Sequence, residues 1–134
     1  MKQTIPIAAF VRRHWDGCRY WSRDKLVRWV KWFVDHERAY VVTNAGKIKG
    51  VAFVRYVSSK EEAENGFVDS DGPVAFVDLT VANDPRAMKA LFSLMYAIKG
   101  HTKKLIAWTR QKYSDRITIR EMDIAKRQLS LSHG

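Results

Sequence analysis

The chain has 134 residues, the size of one domain, and its 46% hydrophobic and 28% charged side chains exclude a disordered chain. Its 24 Lys and Arg against 14 Asp and Glu leave a formal net charge of +10, which favours an acidic partner without choosing among nucleic acid, protein, lipid or phosphorylated ligand. The lone Cys18 excludes an internal disulfide and a zinc knuckle, and no apolar run approaches the ~20 residues of a membrane span.

The first segment predicts a short helix over 5–15, with Thr4 as its cap, Pro6 in its first turn and Gly17 to end it. A strand at 5–11 is the alternative. The segment lacks the long apolar run and small-residue cleavage site of a signal peptide, so a cytoplasmic location is expected. A stronger helix is predicted over 22–36. Ser22 caps it, and Leu26, Trp29, Val30 and Phe33 fall on one face.

The period then changes to two. Ala39 to Thr43 and Ile48 to Val57 read as strands joined at Asn44-Ala45-Gly46-Lys47, a hairpin. Residues 59–72 carry Lys60 against Glu61, Glu62, Glu64, Asp69 and Asp71, and read as an acidic loop between two basic sections. Val74 to Val81 is nearly continuous apolar sequence, expected of a central strand buried on both faces.

Asn83-Asp84-Pro85 starts another helix, with Met88, Leu91, Phe92, Met95 and Ile98 as its core stripe and Gly100 as its end. Leu105 to Thr109 and Ile117 to Met122 are further strands, and residues 123–134 form a basic tail with helical character. The order α-α-β-β-β-α-β-β predicts one α/β (α+β) domain over 1–134. Its sheet is mixed and mainly antiparallel, with helices on both faces. The strand–helix–strand unit at 74–109 forms a parallel pair.

Two residues suggest acid–base chemistry. His14 suits a general base, and Asp78, inside the apolar run Phe76-Val77-Asp78-Leu79, suits the carboxylate that orients it. The alternative has Asp78 accepting hydrogen bonds from a neighbouring Arg while His14 is an ordinary surface residue. At the turn before the third long helix, Asn83 and Arg86 are the candidate contacts to a cofactor's phosphate. The glycine-free sequence and Pro85 favour plain helix capping there. Arg12, Arg13, Arg19 and Arg23 beside Trp15 and Trp21 suggest a partner-binding surface, with core packing of the Trp rings as the competing explanation. No histidine spacing supports a metal site.

The hairpin, third strand, helix and fourth strand resemble the Gcn5-related acetyltransferase superfamily over roughly residues 22–110. That superfamily's coenzyme A loop is glycine-rich, whereas Val81 to Met88 contains no glycine. Within it, His14-Trp15 and Phe76-Val77-Asp78-Leu79 resemble motifs of the toxin-activating lysine acyltransferases. That resemblance implies acyl transfer from a thioester on an acyl carrier protein to an amine, with His14 as base and Asp78 as its partner. It requires no firmly bound cofactor beyond the acyl thioester donor. A non-catalytic basic module that binds nucleic acid or an acidic protein is the alternative.

Overall fold

The computed structural model describes residues 3–98, 103, 105–109 and 117–121. Helix α1 spans Thr4–His14 and is followed by a 3-10 turn at Asp16–Cys18. The cap position is Gln3, with no side-chain cap bond, so Thr4 lies inside the helix rather than capping it. The helix also stops before Gly17, where the Trp15 amide donates to the Val11 carbonyl. The strand alternative for this segment is thus overturned.

Helix α2 spans Arg23–Asp35, and the Ser22 hydroxyl accepts the Lys25 amide at 3.0 Å. Strands β1 (Ala39–Asn44) and β2 (Lys47–Val57) form the expected hairpin. Ala45 and Gly46 both have positive φ, 53° and 77°, the backbone a tight two-residue hairpin turn requires.

The acidic stretch is not simply a loop. It holds a short helix, α3, over Lys60–Glu64. The Ser59 hydroxyl accepts the Glu62 amide at 3.1 Å, and the Glu62 carboxylate reaches back to the Ser58 amide at 2.8 Å. This is a capping box displaced by one residue. Asp69 of the loop is turned inward and pairs with Arg38, while the exposed Asp71 accepts from Lys103 at 2.9 Å.

Strand β3 (Val74–Ala82), helix α4 (Pro85–Ile98), β4 (Leu105–Thr109) and β5 (Ile117–Glu121) complete the described residues. Asp84, not Asn83, caps α4, its carboxylate accepting the Ala87 amide at 2.8 Å. The last residue of the expected core stripe, Ile98, is 58% exposed. The expected end at Gly100, the residue Met122 and the tail 123–134 lie outside the described residues.

The described strands form one sheet in the order β1-β2-β3-β4-β5. β3 is central, and its pairing with β4 is parallel while the other pairs are antiparallel. Helices cover both faces. Phe10, Val11, Leu26, Val30 and Phe33 of α1 and α2 pack on Val51, Phe53 and Val81. Leu91 and Met95 of α4 pack on Tyr40, Ala52, Val54 and Tyr56.

Gly72 joins the acidic segment to this sheet. Its amide donates to the Tyr56 carbonyl at 3.1 Å, and a Cβ there would overlap the backbone carbonyl of Val57. Gly72→Ala is therefore expected to cost about 1–3 kcal/mol by overpacking, read as a lowered urea midpoint at unchanged m-value.

Candidate functional site

The site is built around an irregularity in β3. Phe53 of β2 pairs with Leu79, but the next residue, Val54, pairs with Val77. Asp78 is the extra residue, a β-bulge that bends its strand. The bulge has a packing consequence. Val77 and Leu79 would share a face in a regular strand, yet Val77 packs with the α4 layer and Leu79 with the α1–α2 layer.

The described pairing of β3 with β4 ends at the same point. β4 pairs with β3 only from Val74↔Leu105 to Val77↔Trp108. Among the described residues, Asp78 to Ala82 therefore have β2 on one side and no strand partner on the other. Backbone amides and carbonyls along a strand edge can bond an extended ligand as a strand would.

Asp78 is held by Arg55. Arg55 Nε donates to Asp78 Oδ2 at 2.7 Å and its terminal nitrogen to Oδ1 at 3.0 Å, a bidentate pair. The rest of the guanidinium serves the acidic segment. It donates to the carbonyls of Ala63 at 2.8 Å, Asn65 at 2.7 Å, Val68 at 3.1 Å and Glu62 at 3.2 Å. Arg55 is 2% exposed, so its charge is dissolved by these acceptors rather than by water. Burial pushes the Asp78 carboxyl above the usual carboxylate range, and the Arg55 guanidinium pulls it part of the way back.

His14 is not part of this clamp. It is exposed at the end of α1, its ring 4.5 Å from that of Phe10, and no hydrogen bond joins it to Asp78. Both Asp78 oxygens go to Arg55 instead, so the carboxylate orients a guanidinium rather than an imidazole. The sequence carried a signal for this arrangement: Arg55 is a charge inside the apolar run Val51 to Val57. Finding its partner needed the strand register.

The other expected contacts also divide. The Asn83 amide is engaged by the Lys49 carbonyl at 3.0 Å, while Arg86 is exposed on the first turn of α4. Arg12 is not free for a partner. Its guanidinium donates to the Cys18 carbonyl at 2.6 Å and the Trp21 carbonyl at 2.8 Å, tying the 3-10 turn to α1. Trp15 and Trp21 are half-buried and pack edge-on, 5.7 Å apart, beside Trp29. Arg13, Arg19 and Arg23 are exposed. So are Lys25 and Tyr20, the latter 86% exposed with Arg19 over its ring. Among the described residues, no cluster of His, Cys, Asp and Glu would hold a metal, and no helix is long and apolar enough to cross a membrane.

No protein-family model matches the sequence, and comparison with curated proteins finds no match. Solved structures do share the fold. The GNAT-like decarboxylase GphF in complex with isobutyryl-CoA superposes with a TM-score of 0.56 at 13% identity, over 79% of this chain and 60% of that one. The loading GNATL domain of CurA from Lyngbya majuscula gives 0.56 at 12% identity, over 86% and 66%. A chain assigned as an acetyltransferase of Staphylococcus aureus Mu50 gives 0.62 at 12% identity, over 91% and 94%. The protein thus spans about 60% and 66% of the first two chains and nearly all of the third. Its fold is GNAT-like, a mixed α/β sheet flanked by helices.

Proposed function

We propose that the protein is an acyltransferase-like protein that takes an acyl group from a thioester on an acidic carrier protein and passes it to an amine. The observation that supports this most is the Asp78 bulge in the central strand, beyond which no described residue of β4 pairs with β3. A thioester carried on an extended, amide-bearing arm matches the hydrogen-bonding pattern of that strand edge. One of the structural neighbours holds isobutyryl-CoA, itself an acyl thioester on such an arm.

In the reaction, the amine nitrogen attacks the thioester carbonyl carbon, the C–S bond breaks and the thiolate leaves. His14 takes the proton the amine sheds; its exposure leaves it reachable by an acceptor. Asp78 serves the site indirectly, by fixing the bulge through Arg55. The exposed Arg13, Arg19, Arg23 and Lys25 suit an acidic carrier docking beside α1 and α2, and Arg86 offers charge to the donor's phosphate. The lysine acceptors of toxin-activating acyltransferases are one acceptor class this reading includes.

Native mass spectrometry with acyl-loaded carrier protein, acyl-coenzyme A and short single-stranded oligonucleotides tests the proposal. The carrier thioester is expected to bind, and its affinity to fall as salt screens the basic surface. Charge reversal at Arg13 and Arg19 should weaken it further. Binding of oligonucleotides with no binding of either thioester would assign the basic surface to nucleic acid and overturn the acyl reading.

A further inference from the structure

Between the sheet and α4 lies a cavity of about 120 Å³. Ala52, Val54, Val77 and Thr80 line it from β2 and β3, and Met88 and Phe92 from α4. Thr80 is the one polar side chain in that lining. The cavity is closed on the side of Ala52 and Val54, which are buried, and accessible on the side of Val77, Thr80, Met88 and Phe92, which are half-buried. That accessible side has a specific place in the fold. Val77 is the last residue of β3 to pair with β4, and Thr80 lies beyond it, on the unpaired stretch. The cavity therefore opens beside the Asp78 bulge, where the described pairing of β3 with β4 ends.

We infer that this cavity is the pocket for the acyl chain, and that it selects a short apolar acyl group of about four or five carbons beyond the carbonyl. The inference rests on the thioester reading and adds the identity of the group transferred. Chemistry limits the occupant. A lining without charge and with one hydroxyl excludes water and rejects an ionised group, but accepts hydrocarbon. Size limits it further: an apolar cavity of roughly 150 Å³ takes benzene, a molecule of six carbons. The thioester carbonyl would then lie at the mouth beside the Asp78 bulge, and the chain would run inward beneath α4.

The test is the chain-length profile of binding, measured with acetyl, butyryl, hexanoyl and dodecanoyl thioesters of the same carrier. Affinity is expected to rise about fourfold per methylene from acetyl to hexanoyl, the transfer value of a buried CH₂, and to gain nothing further at dodecanoyl. Ala52→Leu fills the closed end. It should lower hexanoyl binding far more than acetyl binding, bringing the two toward one level. Met88→Ala, at the more tolerant mouth, should move the preference to longer chains.

Benzene provides a reading independent of thioesters. Added to the wild-type protein, it is expected to shift the methyl resonances of Met88, Leu91 and Met95. Thioester binding with a flat chain-length profile in all three proteins would overturn the pocket and leave the acyl reading standing. Benzene shifts with no thioester binding would overturn the acyl reading and with it this occupant. Absent benzene shifts together with a flat profile would show that the cavity admits no ligand.

Discussion

Replacing Arg55 by Met is expected to lower the unfolding free energy by about 3–5 kcal/mol, the cost of leaving a buried charge without its partner. The loss has two sources. Asp78 keeps its burial but loses the guanidinium that holds both its oxygens. The carbonyls of Glu62, Ala63, Asn65 and Val68 lose their donor, which loosens the stretch from α3 to Val68 while Asp69 and Gly72 keep their own bonds. The pH dependence identifies the first source. In the variant, burial still raises the Asp78 carboxyl and Arg55 no longer lowers it. A carboxyl whose folded-state pKa lies above its unfolded value contributes stability below the unfolded value and loses it as pH rises through the folded one. The deficit should therefore be larger at neutral than at acidic pH and shrink as pH falls through the raised Asp78 value. Urea unfolding at neutral pH and at about pH 4, near the ordinary carboxylate range, measures it.

Asp78→Asn provides the contrast. Asparagine still offers an oxygen to Arg55, and the four carbonyls still solvate the guanidinium, so the expected cost is smaller, about 1–3 kcal/mol. The double variant Arg55→Met/Asp78→Asn should be more stable at neutral pH than Arg55→Met alone, because the unpaired carboxylate has gone. Equal losses in both single variants, or a deficit indifferent to pH, would contradict the assignment of the clamp.

His14→Ala is expected to lower amine acylation by about 10²- to 10⁴-fold, the usual contribution of a positioned general base. Because His14 is exposed and its one described ring contact is with Phe10, the melting temperature should barely move. Thioester affinity should also hold, so the effect falls on turnover rather than on binding. The measurement is mass gain on an amine acceptor, with hexanoyl carrier protein as donor. Undiminished turnover would remove His14 from the chemistry. A loss of the same size in Asp78→Asn, with stability retained, would return Asp78 to a direct catalytic role.

Much of the fold was legible because its signals are local. Hairpin chemistry at Asn44 to Lys47, the nearly continuous apolar run of β3 and the Ser22 cap each depend on a few adjacent residues. Their outcomes match: a tight positive-φ turn, a central strand and a hydroxyl accepting the Lys25 amide. The helix inside the acidic stretch was also encoded locally, in Ser59-Lys60-Glu61-Glu62. It was obscured by a run of like charges that reads as a solvated loop. Thr4 misleads in the opposite way: a residue type favoured at caps stands here one position inside its helix.

The candidate site was less legible, for a reason of range. Asp78 stood out as a carboxylate in an apolar strand, and a nearby arginine was one of the two explanations open to it. Residues 55 and 78 are far apart in sequence, and only pairing β2 with β3 sets one beside the other. A bulge shifts every residue beyond it, so no strict alternation predicts that Val77 and Leu79 point to opposite layers.

The sequence by itself determined a basic α/β chain, its central strand, the parallel crossover and one unusual carboxylate, Asp78, in an apolar strand. Those follow from periodicity, turn residues and composition, which act over a few positions. Only the tertiary structure decided that Asp78 is the extra residue of a bulge, that it binds Arg55 instead of His14, and that an apolar cavity lies beside the bulge. Those depend on register and on which elements share a face. They arise from long-range packing, in which a buried charge must find whatever partner the fold brings within reach.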